Sequence, residues 1–187
     1  MTAIVGLEHK GKVIMGADAA ATTGHYSFTQ IATEKVWVSG SYIFGSCGSF
    51  RINQLLRYSM NIPQALPHDE RDMDEFMVTD FMDAVKSILS EQGMLEDHRN
   101  VSTIADDSDF LVGVHGRLYL VALDFSVIRS ATGYAATGSG YDLALGALYA
   151  TGSITNAPAA RTRVQLALEA AAAHNAAVAP PFTILEV

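Results

Sequence analysis

Thr2 and Asp18 are the first residues whose types and spacing suggest chemistry. Two apolar runs, Ala3 to Leu7 and Val13 to Ala17, flank the stretch His9-Lys10-Gly11-Lys12. A short loop ending in glycine between two such runs is a hairpin signal. With His9, Lys10 and Gly11 as the loop, Glu8 faces Lys12 and Thr2 falls opposite Asp18, within one residue of register. The hairpin thus sets a hydroxyl near the chain start beside a carboxylate at the end of the returning strand. Threonine is small enough that removal of Met1 is expected, and Thr2 then carries a hydroxyl and a free α-amine together. A hydroxyl needs a base to become a nucleophile, and an N-terminal amine can be that base.

The elements that must position such a pair can be read along the chain. Asp18 to Gly24 is small and polar and reads as a strand end entering a tight turn. Lys35 to Ser39, the turn Gly40-Ser41 and Tyr42 to Ser46 read as a second hairpin. From Ser49 onward, Phe50, Ile52, Leu55, Leu56 and Met60 alternate at helical spacing with polar Arg51, Asn53, Gln54 and Arg57. Pro63 and Pro67 mark a loop. Asp72 with Glu75 suggests a capping box for a helix whose apolar stripe is Val78, Phe81, Val85, Ile88 and Leu89, stopped by Gly93. Leu95 to Ser108 reads as polar and irregular. Phe110 to Val114 and Arg117 to Ala122 form strands around His115-Gly116, followed by short strands at Val127 to Ser130 and Tyr134 to Ala136. Tyr141 to Tyr149 is helical. A helix over Arg161 to His174 follows Pro158 and turns Val164, Leu168 and Ala171 to one side. Pro180-Pro181 ends it, and Phe182 to Val187 closes the chain as a strand.

Both strand groups are apolar on successive residues, so both faces of each sheet should be covered. Two packed antiparallel sheets with helices outside each satisfy this, which makes the expected class α+β. The 187 residues suit one domain over 1–187, and no linker divides them. The composition, 49% hydrophobic and 17% charged, is that of a folded chain. A net charge of -8 argues against a nucleic-acid partner. No apolar run approaches the roughly 20 residues of a membrane span, and no secretory signal is visible. Cys47 is the single cysteine, which excludes an intrachain disulfide and fits a cytoplasmic setting. The six histidines show no close metal-ligand spacing, so neither a metal nor a cofactor is expected.

Several short stretches, in this order, resemble the N-terminal-nucleophile hydrolases, and among them the proteasome β-type subunits and the HslV peptidases. They are Thr2, Gly16-Ala17-Asp18 with Thr22, Lys35-Val36, Gly45-Ser46-Cys47-Gly48-Ser49, and Gly138-Ser139-Gly140 followed by Leu143-Ala144-Leu145-Gly146-Ala147-Leu148. The resemblance runs over nearly the whole chain and is strongest to small single-domain members without a long propeptide. It implies a four-layer αββα sandwich, assembly into a homo-oligomeric ring, an unfolded protein or peptide substrate, and an ATPase unfoldase as partner. It also implies Thr2 as nucleophile, Asp18 and Lys35 as core catalytic residues, Ser139 beside the Thr2 amine, and the Gly48 N–H as oxyanion donor. Ala21, Thr22 and Cys47 fall where the first specificity pocket is lined; small, neutral Ala21 and Cys47 suggest a small or apolar P1 side chain. Lys35 stands one residue later than in most proteasome β subunits, which places an insertion around His25 to Thr33. Asn175 and Val178 stand where the family commonly has an aspartate and a serine.

These residue types suit amide hydrolysis. The α-amine, with a reference pKa of about 7.7–8.0, can accept the threonine proton near neutral pH. A lysine ammonium favours the developing alkoxide and lowers the proton affinity of the amine. Plainer readings stand beside these: Asp18 as a strand-end turn residue, Lys35 as a solvated strand-start lysine, and Gly138-Ser139-Gly140 as a turn and helix cap. Three functions compete: a threonine endopeptidase in a ring, a non-catalytic ring or scaffold subunit, and an amidohydrolase of small amides.

Overall fold

The computed structural model describes residues 2–23, 27–64, 72–98, 101–153 and 158–187. Met1, Gly24, His25, Tyr26 and Pro67 lie outside the described residues, and with them part of the expected turn, insertion and proline loop.

The chain begins with β1 (Ile4–His9) and β2 (Lys12–Ala17), joined by a two-residue turn at Lys10-Gly11. His9 pairs with Lys12 and Ile4 with Ala17, one residue away from the expected pairing of Glu8 with Lys12. Positive φ at both turn residues, 51° and 74°, explains the shift. A tight turn of this hand matches the twist of the flanking strands, whereas a three-residue loop needs a bulge. Asp18 therefore comes level with Ala3, and Thr2 sits one residue beyond.

β3 (Ala20–Thr23) pairs with β4 (Ser27–Gln30), so the segment after Asp18 is a strand and not simply a turn entry. β5 (Val36–Ser39) and β6 (Tyr42–Ser46) form the expected hairpin around Gly40-Ser41. α1 (Phe50–Tyr58) follows. The next helix is interrupted: α2 (Met73–Phe76), a π turn (Met77–Phe81) and α3 (Met82–Glu91). The wider turn moves the apolar stripe to Met77, Phe81, Val85 and Leu89, all buried, and leaves Val78 58% exposed instead of on the stripe. Asp72 caps α2 by accepting from Asp74 N–H, not from Glu75 as a capping box requires.

Residues expected to be irregular form β7 (Leu95–His98) and β8 (Val101–Ile104), then a short 3-10 turn at Ala105–Asp107. Backbone pairing makes this hairpin, and at its base the paired Leu95 and Ile104 pack on the core. β9 (Phe110–Val114), β10 (Arg117–Val121), β11 (Val127–Arg129) and β12 (Tyr134–Thr137) precede α4 (Tyr141–Gly152), α5 (Ala160–His174) and β13 (Thr183–Glu186).

The two larger antiparallel sheets are ordered β12-β1-β2-β13 and β11-β10-β9-β6-β5. Strand side chains alternate between faces, and the core divides accordingly. Val5, Leu7, Ile14 and Ile184 pack with Leu148, Val164 and Leu168 of α4 and α5. Phe44, Phe110, Val112 and Tyr119 pack with Ile52, Leu55, Phe81 and Val85 of the other helices. Ile4, Val13 and Met15 of the first sheet meet Ile43, Leu111 and Leu118 of the second. Among the described residues, no helix is long and apolar enough to cross a membrane.

Candidate active site

The ends of three strands converge. Thr2 precedes β1, Asp18 follows β2 and Lys35 precedes β5. All three are buried, at 4%, 3% and 3% exposure. Asp18 folds back onto the chain start: its Oδ1 accepts from Ala3 N–H at 3.0 Å and its Oδ2 from Ala20 N–H at 2.9 Å. Oδ2 also accepts from Ala179 N–H at 3.4 Å. Carboxylate orientation is thus fixed by three backbone donors from three segments.

The Lys35 ammonium has three donors. It uses them on Thr2 Oγ1 at 2.6 Å, Asp18 Oδ1 at 2.8 Å and the Ala20 carbonyl at 2.6 Å. Burial pulls the Lys35 pKa below its ordinary value, and the charge and hydrogen bond of Asp18 oppose that pull. The solvated-lysine and turn-aspartate readings do not describe these two side chains.

Thr2 is also held from the loop before α4. Its N–H donates to Ser139 Oγ at 3.3 Å, and its carbonyl accepts from Gly140 N–H at 3.2 Å. Gly138 makes this approach possible. Its φ is +88°, and a Cβ there would meet the Thr2 carbonyl.

Gly48 also has φ +88° and sits at a cleft of about 360 Å³ with Thr2 and Lys35. Its neighbours are strapped to the segment beneath. Cys47 N–H donates to the Asp109 carbonyl at 3.1 Å, and Ser49 N–H donates to Ser108 Oγ at 2.9 Å. Among the described residues, Gly48 N–H has no acceptor, which leaves it free for one in the cleft.

No protein-family model matches the chain, and no curated protein sequence matches it. Solved structures do. Two structures of Thiobacillus denitrificans BPH align with TM-scores of 0.80 and 0.81, at 21% and 20% identity. They cover 100% of this chain and 98% and 97% of their own, and the first is a complex with epoxomicin. HslV from Trypanosoma brucei aligns at 0.69 with 16% identity, covering 99% of this chain and 98% of its own. Anbu (ancestral beta-subunit) from Yersinia bercovieri aligns at 0.67 with 13% identity, covering 100% and 81%.

The fold is the proteasome-type β fold.

In this proteasome-type β fold the structure brings together Thr2, Asp18, Lys35 and Ser139, and sets Gly48, Ala21, Thr22 and Cys47 around the same cleft. Ser46, Ser49, Phe50, Asn53 and Asp106 complete its lining. Asn53 reads in sequence as part of the polar side of α1, yet it is only 5% exposed. It lies one turn before Leu56 and shares that side of the helix. Ser108, Asp109 and Asp106 fall in or beside the stretch read as irregular, so sequence reasoning missed them. Cys47 is partly buried. Its thiol contacts the Asp109 carbonyl and the Thr137 hydroxyl, and burial raises its pKa, so it is not a poised thiolate. Burial likewise raises the pKa of the Asp109 carboxyl.

The two positions that depart from the family pattern are occupied differently. Asn175 donates from Nδ2 to the Ser139 carbonyl at 2.7 Å and accepts from Ala177 N–H at 3.0 Å. Val178 is buried against Gly140. Asn175 thus holds the loop through its backbone. Among the described residues, no group of three or more His, Cys, Asp or Glu is arranged to hold a metal ion.

Proposed function

We propose that the chain is a threonine endopeptidase, folded as a single domain in a four-layer αββα sandwich, with Thr2 as its N-terminal nucleophile once Met1 is removed. The 2.6 Å contact between Lys35 Nζ and Thr2 Oγ1, with Asp18 at 2.8 Å, is the observation that carries this reading. Asp18 positions Lys35 and keeps it charged, and Ser139 orients the Thr2 nitrogen. Thr2 Oγ1 attacks the peptide carbonyl carbon while its proton passes to the α-amine. Lys35 favours the forming alkoxide, and Gly48 N–H donates to the tetrahedral oxyanion. Collapse breaks the C–N bond, and the α-ammonium returns the proton to the leaving amine. Water then hydrolyses the threonine ester, its proton again taken by the amine.

The same resemblance supports a homo-oligomeric ring in the cytoplasm, fed unfolded protein by an ATPase unfoldase. The -8 charge supports the absence of a nucleic-acid partner. A small-amide amidohydrolase would use the same nucleophile. Asn175 and Val178 are the observation favouring an inactive scaffold subunit as the second reading. Hydrolysis of a fluorogenic peptide separates them. Wild type cleaves it and Thr2→Ala loses at least about four orders of magnitude in kcat. Equal rates for the two proteins would eliminate Thr2 as nucleophile.

The Asp18 effect on Lys35 has a pH signature. With Lys35 active as the ammonium, the alkaline limb of kcat sits below the ordinary lysine pKa because burial lowers it. Asp18→Asn removes the opposing charge, so Lys35 loses its proton at a still lower pH. The alkaline limb of the variant should move to lower pH, with kcat at neutral pH reduced at least about tenfold. An alkaline limb that stays in place would disconnect Lys35 titration from Asp18.

A further inference from the structure

The cleft beside Thr2 has a polar inner wall that amide hydrolysis does not use. Asn53 is buried, yet among the described residues its side-chain amide makes no hydrogen bond, and it faces the cleft. Ser46 lines the same space. It lies two residues after Phe44 in β6 and so shares the helix-facing side of the strand. Its hydroxyl and that of Thr22 are buried and, among the described residues, lack partners. Buried polar groups are nearly always hydrogen-bonded, so two buried hydroxyls without partners beside an amide that opens onto the same cavity ask for an acceptor and a donor from a ligand.

We infer that this wall selects a carboxamide P1 side chain, glutamine or asparagine, in the substrate of the peptidase proposed above, on which the inference rests. A carboxamide offers both N–H donors and a carbonyl acceptor, and so pairs with the Asn53 amide in both senses. Ser46 and Thr22 supply hydroxyls that take either role. An aliphatic P1 side chain would cover Asn53 and leave it desolvated and unpaired, the situation that makes polar sites discriminate most strongly. A cationic P1 side chain finds no carboxylate on this inner wall, because Asp106 is exposed at the mouth. An anionic one meets Asp106 as it enters. The small or apolar preference suggested by Ala21 and Cys47 concerns only one side of the cavity.

The test uses two tripeptide amides that differ only at P1, glutamine against the near-isosteric methionine. Binding to full-length Thr2→Ala protein is measured by calorimetry, and kcat/KM of the matching fluorogenic substrates by wild type. Glutamine should be preferred about tenfold or more in both. Asn53→Leu, which keeps the branching of the side chain without its polar atoms, should reverse the order, and Asn53→Asp should raise the affinity for a P1 arginine peptide. Among the described residues the Asn53 side chain makes no hydrogen bond, so neither variant breaks one, and an unchanged melting temperature for Asn53→Leu verifies this. Equal binding of the two peptides, tighter binding of methionine, or no binding of either would overturn the inference. Glutamine-selective binding without any turnover by wild type would instead overturn the peptidase reading and leave the selectivity standing.

Discussion

Lys35→Met is expected to lower peptidase activity at least about a thousandfold and to cost about 3 kcal/mol of stability. Methionine keeps much of the side-chain volume but offers no charge and no donor. Thr2 Oγ1 loses the 2.6 Å ammonium contact that would favour its alkoxide. Asp18, fully buried in its side chain, is left with a charge and no counter-ion. Breaking a buried ion pair by removing one partner is among the costliest polar substitutions. The lower end of the usual range applies here, because Ala3, Ala20 and Ala179 still donate to the carboxylate. Denaturant unfolding and peptide hydrolysis measure the two effects separately. A stable, active Lys35→Met protein would remove Lys35 from the chemistry.

Gly48→Ala should cut kcat at least about a hundredfold while the protein still folds. At φ +88° an alanine is strained by about 1–3 kcal/mol. Its Cβ would also lie 2.8 Å from Ser108 Cα and closer still to the Ser108 hydroxyl. Ser108 is fully buried and holds Ser49 N–H, so it cannot simply move away. The loop must shift instead, and the Gly48 N–H turns with it. Circular dichroism should remain that of the folded protein, with a lower melting temperature, while kcat falls more than KM rises. Wild-type kcat in this variant would mean that the oxyanion donor lies elsewhere.

What the sequence discloses follows from how local each signal is. The proximity of Thr2 and Asp18 is legible because two adjacent strands and one turn create it. Its register is off by one, since loop length depends on Lys10 taking positive φ, which lysine rarely does. The second hairpin and α5 are legible for the same local reasons. The strands at Leu95–His98 and Val101–Ile104 are not, because their polar residues carry no period-two pattern. Ser108 and Asp109 support the Gly48 loop from some 60 residues away, and nothing local announces that contact. Asn53 is hidden by its own polarity: a polar residue on an amphipathic helix reads as solvent-facing unless a cleft lies behind it.

The contact between Lys35 and Thr2 has meaning for catalysis only if the threonine amine is free. Intact-mass measurement of the purified full-length protein before and after incubation with epoxomicin tests this most directly. The masses expected are those of the chain without Met1 and then of that chain with one epoxomicin attached, on a peptide that begins at Thr2. A chain that retains Met1, or one that lacks it and gains no mass, would contradict the nucleophile assigned to Thr2.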